Sequence, residues 1–169
     1  KIHMAAYIII ALIAYAIGSV NFSVIISKKM AGFDVREKGS GNAGSTNVLR
    51  TVGKKAAAIT LVCDILKGVV AILVALVIGL FAKESSKAIL VEVAALAVVL
   101  GHTFPIFFGF RGGKGVATSL GIILLINWKI GLICLVFALT LMALTRMVSL
   151  GSISASVLFA VLTMFITDS

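Results

Sequence analysis

Charge is scarce in this chain, at 12% of its 169 residues, about half of the roughly 25% usual in water-soluble domains. Acidic residues are scarcer still: 6 Asp and Glu stand against 15 Lys and Arg, a formal net charge of +9. Proline and tryptophan occur once each, and cysteine twice. Too few charges to cover a soluble surface, with 61% hydrophobic residues and a mean hydropathy of +1.22, exclude an ordinary soluble domain and leave a single domain lying in the bilayer. Cys63 and Cys134 fall inside apolar runs at no metal-ligand spacing, so they read as small residues of a membrane core and no metal is expected. The surplus of positive charge has its explanation in cytoplasmic loops facing anionic headgroups. No basic helix interleaved with aromatics is present to bind nucleic acid.

The apolar runs predict an all-α, polytopic transmembrane helical bundle of six spans: Ala5 to about Ser27, Ala56–Ala82, Ala88 to about Phe104, Val116–Asn127, Ile130 to about Leu144, and Leu150–Ile166. Lys1 to His3 read as leader residues before a retained first helix, because the run behind them has no small-residue cleavage site. Asn21-Phe22-Ser23 fits a glycosylation sequon but lies at the end of that helix, where a chance match is the simpler reading. The segment from Lys28 to Lys55 carries seven Lys and Arg against Asp34 and Glu37, a balance of +5, and should be cytoplasmic. Alternation then places the N-terminus outside, the turn from Lys83 to Lys87 and Lys129 outside, and the segments around Gly109–Gly115 and Arg146 inside.

Two glycine-rich stretches carry the chemistry. In Gly39-Ser40-Gly41-Asn42-Ala43-Gly44-Ser45-Thr46-Asn47 the glycines permit positive φ and close backbone approach. Successive N–H groups are therefore expected to converge on an anion, with Ser, Thr and Asn side chains as further donors and Arg50 as a bidentate clamp. The alternative is a flexible connection, but linking two helices needs no such run of small polar residues. In Gly112-Gly113-Lys114-Gly115 the glycines precede an apolar helix whose first N–H groups and dipole attract phosphate, and Lys114 adds a point charge. This is not a Walker A loop, since Gly115 stands where Ser or Thr is required and Phe108 where the first Gly belongs. Around them lie His102 at the cytoplasmic end of the third span, Asp64 and Lys67 three residues apart on one helical face and expected to pair, Glu92 within a span, and Ser149 and Ser152 beside Arg146.

Taken together, Gly39 to Arg50, Gly101-His102-Thr103-Phe104-Pro105 with Gly112 to Thr118, and Thr145-Arg146-Met147-Val148-Ser149 resemble the bacterial acyl-phosphate:glycerol-3-phosphate acyltransferase family, the PlsY type, over nearly the whole chain. The resemblance implies an integral enzyme of the bacterial cytoplasmic membrane with its active site facing the cytoplasm. It would transfer a fatty acyl group from acyl phosphate to the 1-hydroxyl of glycerol 3-phosphate, giving lysophosphatidic acid and phosphate. It further implies membrane lipids as surroundings, no cofactor, no obligate protein partner, and a seventh helix beyond Ser169. The first helix reads Gly18-Ser19-Val20-Asn21 where many relatives resemble Gly-Ser-Ile-Pro, a difference in helix bending.

On this reading Lys114, Ser149, His102 and Arg50 are expected to be catalytic. Ser40, Gly41, Asn42, Gly44, Thr46, Asn47, Gly112, Gly113, Gly115 and Arg146 are expected to bind substrate phosphate. Acyl phosphate is an activated mixed anhydride, so direct attack by the hydroxyl needs no covalent enzyme intermediate, and positioning with charge stabilisation suffices. The proton goes to His102 or to a substrate phosphate oxygen. The substrate is favoured, because the sequence sets no carboxylate beside His102. Acyltransferases with a His followed after four residues by Asp do not match, since Phe107 holds that position. A transporter of a phosphorylated metabolite is the rival reading; it would want ionisable residues at mid-membrane and an internal repeat, and the Gly39–Asn47 pattern does not recur. A membrane scaffold is a third, and predicts that Gly44, Arg50 and Lys114 are dispensable.

Overall fold

A computed structural model describes residues 2–81 and 87–166. Eight α-helices are present among these residues: α1 Ile2–Ser19, α2 Phe22–Ala31, α3 Ser45–Thr51, α4 Lys54–Phe81, α5 Lys87–Thr103, α6 Val116–Ile126, α7 Trp128–Thr145 and α8 Val148–Ile166. Among the described residues, five stretches are long and apolar enough to cross a bilayer: Met4–Ala31, Lys54–Phe81, Lys87–Phe108, Trp128–Thr145 and Val148–Phe165. The segment expected to be a sixth crossing, Val116–Asn127, is instead an 11-residue helix. At 1.5 Å per residue it reaches about 16 Å, half of the hydrocarbon thickness of about 30 Å. Asn127 ends it by turning its side chain onto the Ile130 N–H (3.1 Å) and so starting α7. Most of the turn expected from Lys83 to Lys87 lies outside the described residues.

The chain divides into two compact units, Lys1–Ile122 and Ile123–Ser169. In the first, helices approach at glycines. A Cβ on Gly18 would collide with the Val98 carbonyl and one on Gly101 with that of Tyr15, which brings α1 against α5; Gly68 against Thr118 and Gly121 against Ile65 do the same for α4 and α6. Such contacts suit lipid, where apolar burial gives little drive and close van der Waals packing holds helices together. Ile10, Ala14, Ala71, Ile72, Leu90, Ala94 and Val98 fill the core between them.

The first span is broken at Val20–Asn21. Asn21 caps α2, accepting from the Val24 N–H (3.3 Å) and the Ser23 hydroxyl (2.6 Å), and it is buried, so the sequon is closed to modification. The break leaves carbonyls at the end of α1 without helical partners, which is costly inside a membrane. Lys67 Nζ takes two of them, Gly18 O at 3.0 Å and Val20 O at 2.9 Å.

A second small core lies under the polar segment after α2. Val24, Val35, Ala43, Val48, Ala56 and Ala57 are buried together, with Phe108 packed on them. The Ser27 hydroxyl accepts from the Val35 N–H (3.1 Å) and donates to Val24 O (3.1 Å), which fixes the exit from the membrane.

In the second unit α7 and α8 form a hairpin. Arg146 turns the corner at φ +57, its N–H on Met142 O at 2.9 Å, and Gly151 lies against Ala138 O and the Met142 side chain. Arg146 and Ser149 are exposed, while Ser152 Oγ donates to Ser149 O at 3.1 Å.

Candidate functional site

The first glycine stretch is organised around Asn47, whose side chain is buried inside it. Its Nδ2 donates to Val35 O (2.9 Å), Lys38 O (3.0 Å) and Asn42 O (3.1 Å), and its Oδ1 accepts from the Ser40 N–H (3.0 Å). Gly39 and Gly41 take positive φ of +60 and +70, and a Cβ on Gly39 would strike Asn47 Oδ1. Glycine is thus needed at position 39 to let the loop close over the amide. The N–H groups of Ser40, Gly41 and Gly44 are spent on Asn47 Oδ1, Lys38 O and Asn42 O. They are not the converging anion donors expected from the sequence; the spare donors lie at the start of α3, where the N–H groups of Ser45 and Thr46 have no partner within the helix. Asn42 and Thr46 are half-buried, while Ser40 and Arg50 are exposed.

Replacing Asn47 by Ala removes four hydrogen bonds at once: the Ser40 N–H loses its acceptor, and Val35 O, Lys38 O and Asn42 O keep only the backbone N–H groups of Lys38, Gly41 and Gly44. We expect a loss of about 2–3 kcal/mol in stability together with cleavage of the 38–44 segment by protease; wild-type resistance to protease in the variant would contradict the hub role.

The second stretch folds back onto the end of α5. Phe108 and Phe110 N–H donate to Pro105 O (3.1 and 2.9 Å), Gly109 and Phe110 adopt φ of +65 and +58, and the N–H groups of Gly112 and Gly113 donate to Thr103 O and His102 O, both at 3.1 Å. These two glycines therefore do not offer free N–H groups to a phosphate, another correction to the sequence reading. They are small because of what surrounds them. A Cβ on Gly112 would collide with the His102 carbonyl, and one on Gly113 with both His102 Nε2 and the Ala43 carbonyl. Gly113 is therefore the point where the two glycine stretches and the imidazole meet. Gly115 is buried at φ +74 just before α6, and Lys114 beside it is exposed.

Arg36 ties the same two stretches together. Its Nη1 donates to Phe108 O (2.6 Å) and Arg111 O (3.1 Å), and its Nε and Nη2 grip the Asp34 carboxylate at 3.0 and 2.8 Å. The guanidinium's hydrogen bonds hold the Asp34 carboxyl well below the usual carboxylate range, against an opposing push from burial; the Arg36 N–H and Lys28 assist. A depressed carboxyl stabilises the fold fully above its unfolded value of about 4 and loses that contribution as pH falls toward the folded one. The thermal midpoints of the wild type and Asp34→Asn should therefore differ at neutral pH and draw together as pH is lowered below about 4. Parallel curves down to acid pH would show that Asp34 is not the group involved.

His102 is 6% exposed. Although the sequence sets no carboxylate near it, the fold does: Asp64 Oδ1 lies 3.6 Å from Nδ1, and Thr118 Oγ1 lies 3.4 Å from the same nitrogen. Asp64 also pairs with Lys67 at 3.1 Å, as their spacing implied. Glu92 is exposed on α5 and does not join this cluster. Neither Asp64 nor Asn47 could be assigned its place from local spacing, because each acts on residues from other segments.

The family model described as glycerol-3-phosphate acyltransferase matches residues 8–168. The chain belongs to this family. Among glycerol-3-phosphate acyltransferases, that of Clostridioides difficile (strain 630) is 49% identical over 152 residues, covering 88% of this chain and 72% of the relative. That of Thermoanaerobacter sp. (strain X514) is 46% identical over 155 residues, covering 92% and 75%. A crystal structure of PlsY (YgiH), an integral membrane glycerol 3-phosphate acyltransferase in its glycerol 3-phosphate form, superposes with a TM-score of 0.82 at 38% identity, over 94% of this chain and 76% of that one. The lysophosphatidic acid form of the same enzyme gives 0.79 at 36% identity. This glycerol-3-phosphate acyltransferase family member is thus an integral membrane protein in sequence and in fold alike.

Proposed function

We propose that the chain transfers a fatty acyl group from acyl phosphate to the 1-hydroxyl of glycerol 3-phosphate, releasing lysophosphatidic acid and phosphate, at the cytoplasmic face of a bacterial inner membrane. Family membership supports the acceptor and the reaction class. The observation that carries the reading is the meeting of Ala43, Gly113 and His102 at one point, with exposed Arg50 and Lys114 on the stretches that meet there. Two phosphate-bearing substrates need cations and amide donors side by side; Arg50 and Lys114 on these stretches and the spare amides at the start of α3 are the groups that suit this need.

In the reaction the acceptor hydroxyl oxygen bonds to the acyl carbonyl carbon, the carbonyl–phosphate C–O bond breaks, and the hydroxyl proton passes to a phosphate oxygen. Lys114 stabilises the departing phosphate and Arg50 clamps an anion by bidentate hydrogen bonds, while for Ser149 and Arg146 the phosphate-handling roles rest on the family resemblance alone. Ser40, Asn42 and Thr46 supply polar side chains to the acceptor, and the α3 amides supply donors. Asn47 shapes the loop that holds them, while Gly41, Gly44, Gly112 and Gly115 give the backbone its close approach. With palmitoyl phosphate and glycerol 3-phosphate, the purified protein should release inorganic phosphate only when both are present. Lys114→Ala should lower kcat about 100-fold with the fold intact, the order seen when one stabilising donor is removed from a developing anion. Near-normal turnover in the folded variant removes Lys114 from the site.

A further inference from the structure

The acyl transfer scheme leaves one buried cluster of ionisable groups unused. Asp64 and Lys67 of α4, His102 of α5 and Thr118 of α6 are each less than a tenth exposed and lie where charge is expensive and marks function. Asp64 Oδ1 makes no hydrogen bond, although a buried carboxylate oxygen ordinarily has one. Lys67 stands 3.1 Å from it as counter-charge, but its hydrogen bonds go to Gly18 O and Val20 O. Beyond the Lys67 ammonium, the group that faces this oxygen is His102 Nδ1, at 3.6 Å.

That geometry favours one place for the hydrogen of the imidazole. A bare Nδ1 would set its lone pair against a carboxylate oxygen in a low-dielectric interior, whereas a protonated Nδ1 meets Asp64 Oδ1 and has Thr118 Oγ1 (3.4 Å) as a second acceptor. The other nitrogen, Nε2, is the one that a Cβ on Gly113 would strike together with the Ala43 carbonyl. Hence fixing the hydrogen on Nδ1 leaves the Nε2 lone pair at the junction of the two glycine stretches.

We infer that Asp64 is a positioning residue, which holds His102 in the Nδ1–H tautomer so that Nε2 accepts a hydrogen bond from the non-reacting 2-hydroxyl of the acceptor substrate. This contact orients the neighbouring 1-hydroxyl oxygen toward the acyl carbon and leaves the proton of the 1-hydroxyl free to pass to a phosphate oxygen. The last step rests on the proposed acyl transfer, while the tautomer does not.

The test reads the tautomer directly. The chain has two histidines, so ¹⁵N-histidine-labelled protein carrying His3→Gln reports on His102 alone. Its ¹⁵N spectrum in detergent micelles should show hydrogen on Nδ1 and a bare Nε2, the reverse of the form a histidine favours in water. Asp64→Asn/Lys67→Gln removes the pair in a charge-balanced way and keeps an amide donor for the α1 carbonyls. In this variant the signal should move toward the Nε2–H form, kcat should fall by about tenfold or more, and KM for glycerol 3-phosphate should change by less than roughly threefold, the pattern of an interaction made in the transition state. A wild-type spectrum with hydrogen on Nε2 overturns the inference without need of any variant. So does a variant that keeps the wild-type tautomer, or one that switches tautomer at unchanged kcat. A wild type that forms no product sinks the acyl transfer reading instead, and the spectrum then decides for or against Asp64 by itself.

Discussion

Gly113→Ala should abolish turnover, by about 100-fold or more, in a protein that still folds. The added methyl group occupies the place where the His102 ring and the Ala43 carbonyl converge, and none of its neighbours can yield easily. The ring is buried between Asp64 and Thr118, the Ala43 carbonyl belongs to a loop pinned by Asn47, and the Gly113 N–H is bonded to His102 O. Relief must come from moving the two stretches apart, and a displacement near 1 Å at a site of this kind is worth about 100-fold in rate. Gly109→Ala is the control. That glycine sits at φ +65 with nothing near a built Cβ, so the change costs only the left-handed strain of about 1 kcal/mol and should leave most of the activity. Phosphate release from palmitoyl phosphate, read beside the thermal midpoint, separates the outcomes. An active Gly113→Ala would mean that the junction is not where the chemistry occurs.

Lys67→Met should cause the largest loss of stability, about 3–5 kcal/mol, because removing one member of a buried ion pair leaves the other charge uncompensated. Two effects add in this case. Asp64, 2% exposed, loses its counter-charge, and the carbonyls of Gly18 and Val20 lose the donor that satisfies them at the break in the first span. A fall of about 10 °C in thermal midpoint follows for a chain of this size, measurable as loss of the monodisperse peak after heating in detergent. Asp64→Asn/Lys67→Gln should regain most of it, since no buried charge is left alone. A Lys67→Met protein as stable as the wild type would show that water reaches the pair.

The family, the apolar spans and both glycine stretches were legible in the sequence, because run length and glycine density are local properties. Local reading failed where one residue serves another segment. Arg36 counted only as one of seven positive charges that set the side of the membrane, yet its guanidinium joins the two glycine stretches through Phe108 and Arg111. Asn47, among glycines and hydroxyls, resembled a ligand donor, and only the folded loop shows its amide turned inward to four backbone groups. Asp64 lies 38 positions from His102 in the chain, so no spacing rule could pair them. The short α6 was hidden for a different reason. Its sequence is apolar through Ile126, and the capping role of Asn127 looks from composition like any polar residue near an interface.

The ammonium of Lys67 closes the end of one helix and neutralises the carboxylate that faces the imidazole of another. Backbone architecture and ring orientation are in this way mortgaged to a single nitrogen atom, and the effects of changes at positions 20, 64, 67 and 102 will not sum. Over evolutionary time such residues are free to drift only as a linked set. A homologue that has exchanged one of them should carry a matching exchange at another, whereas the exposed cations Arg50 and Lys114 stand outside that epistatic group.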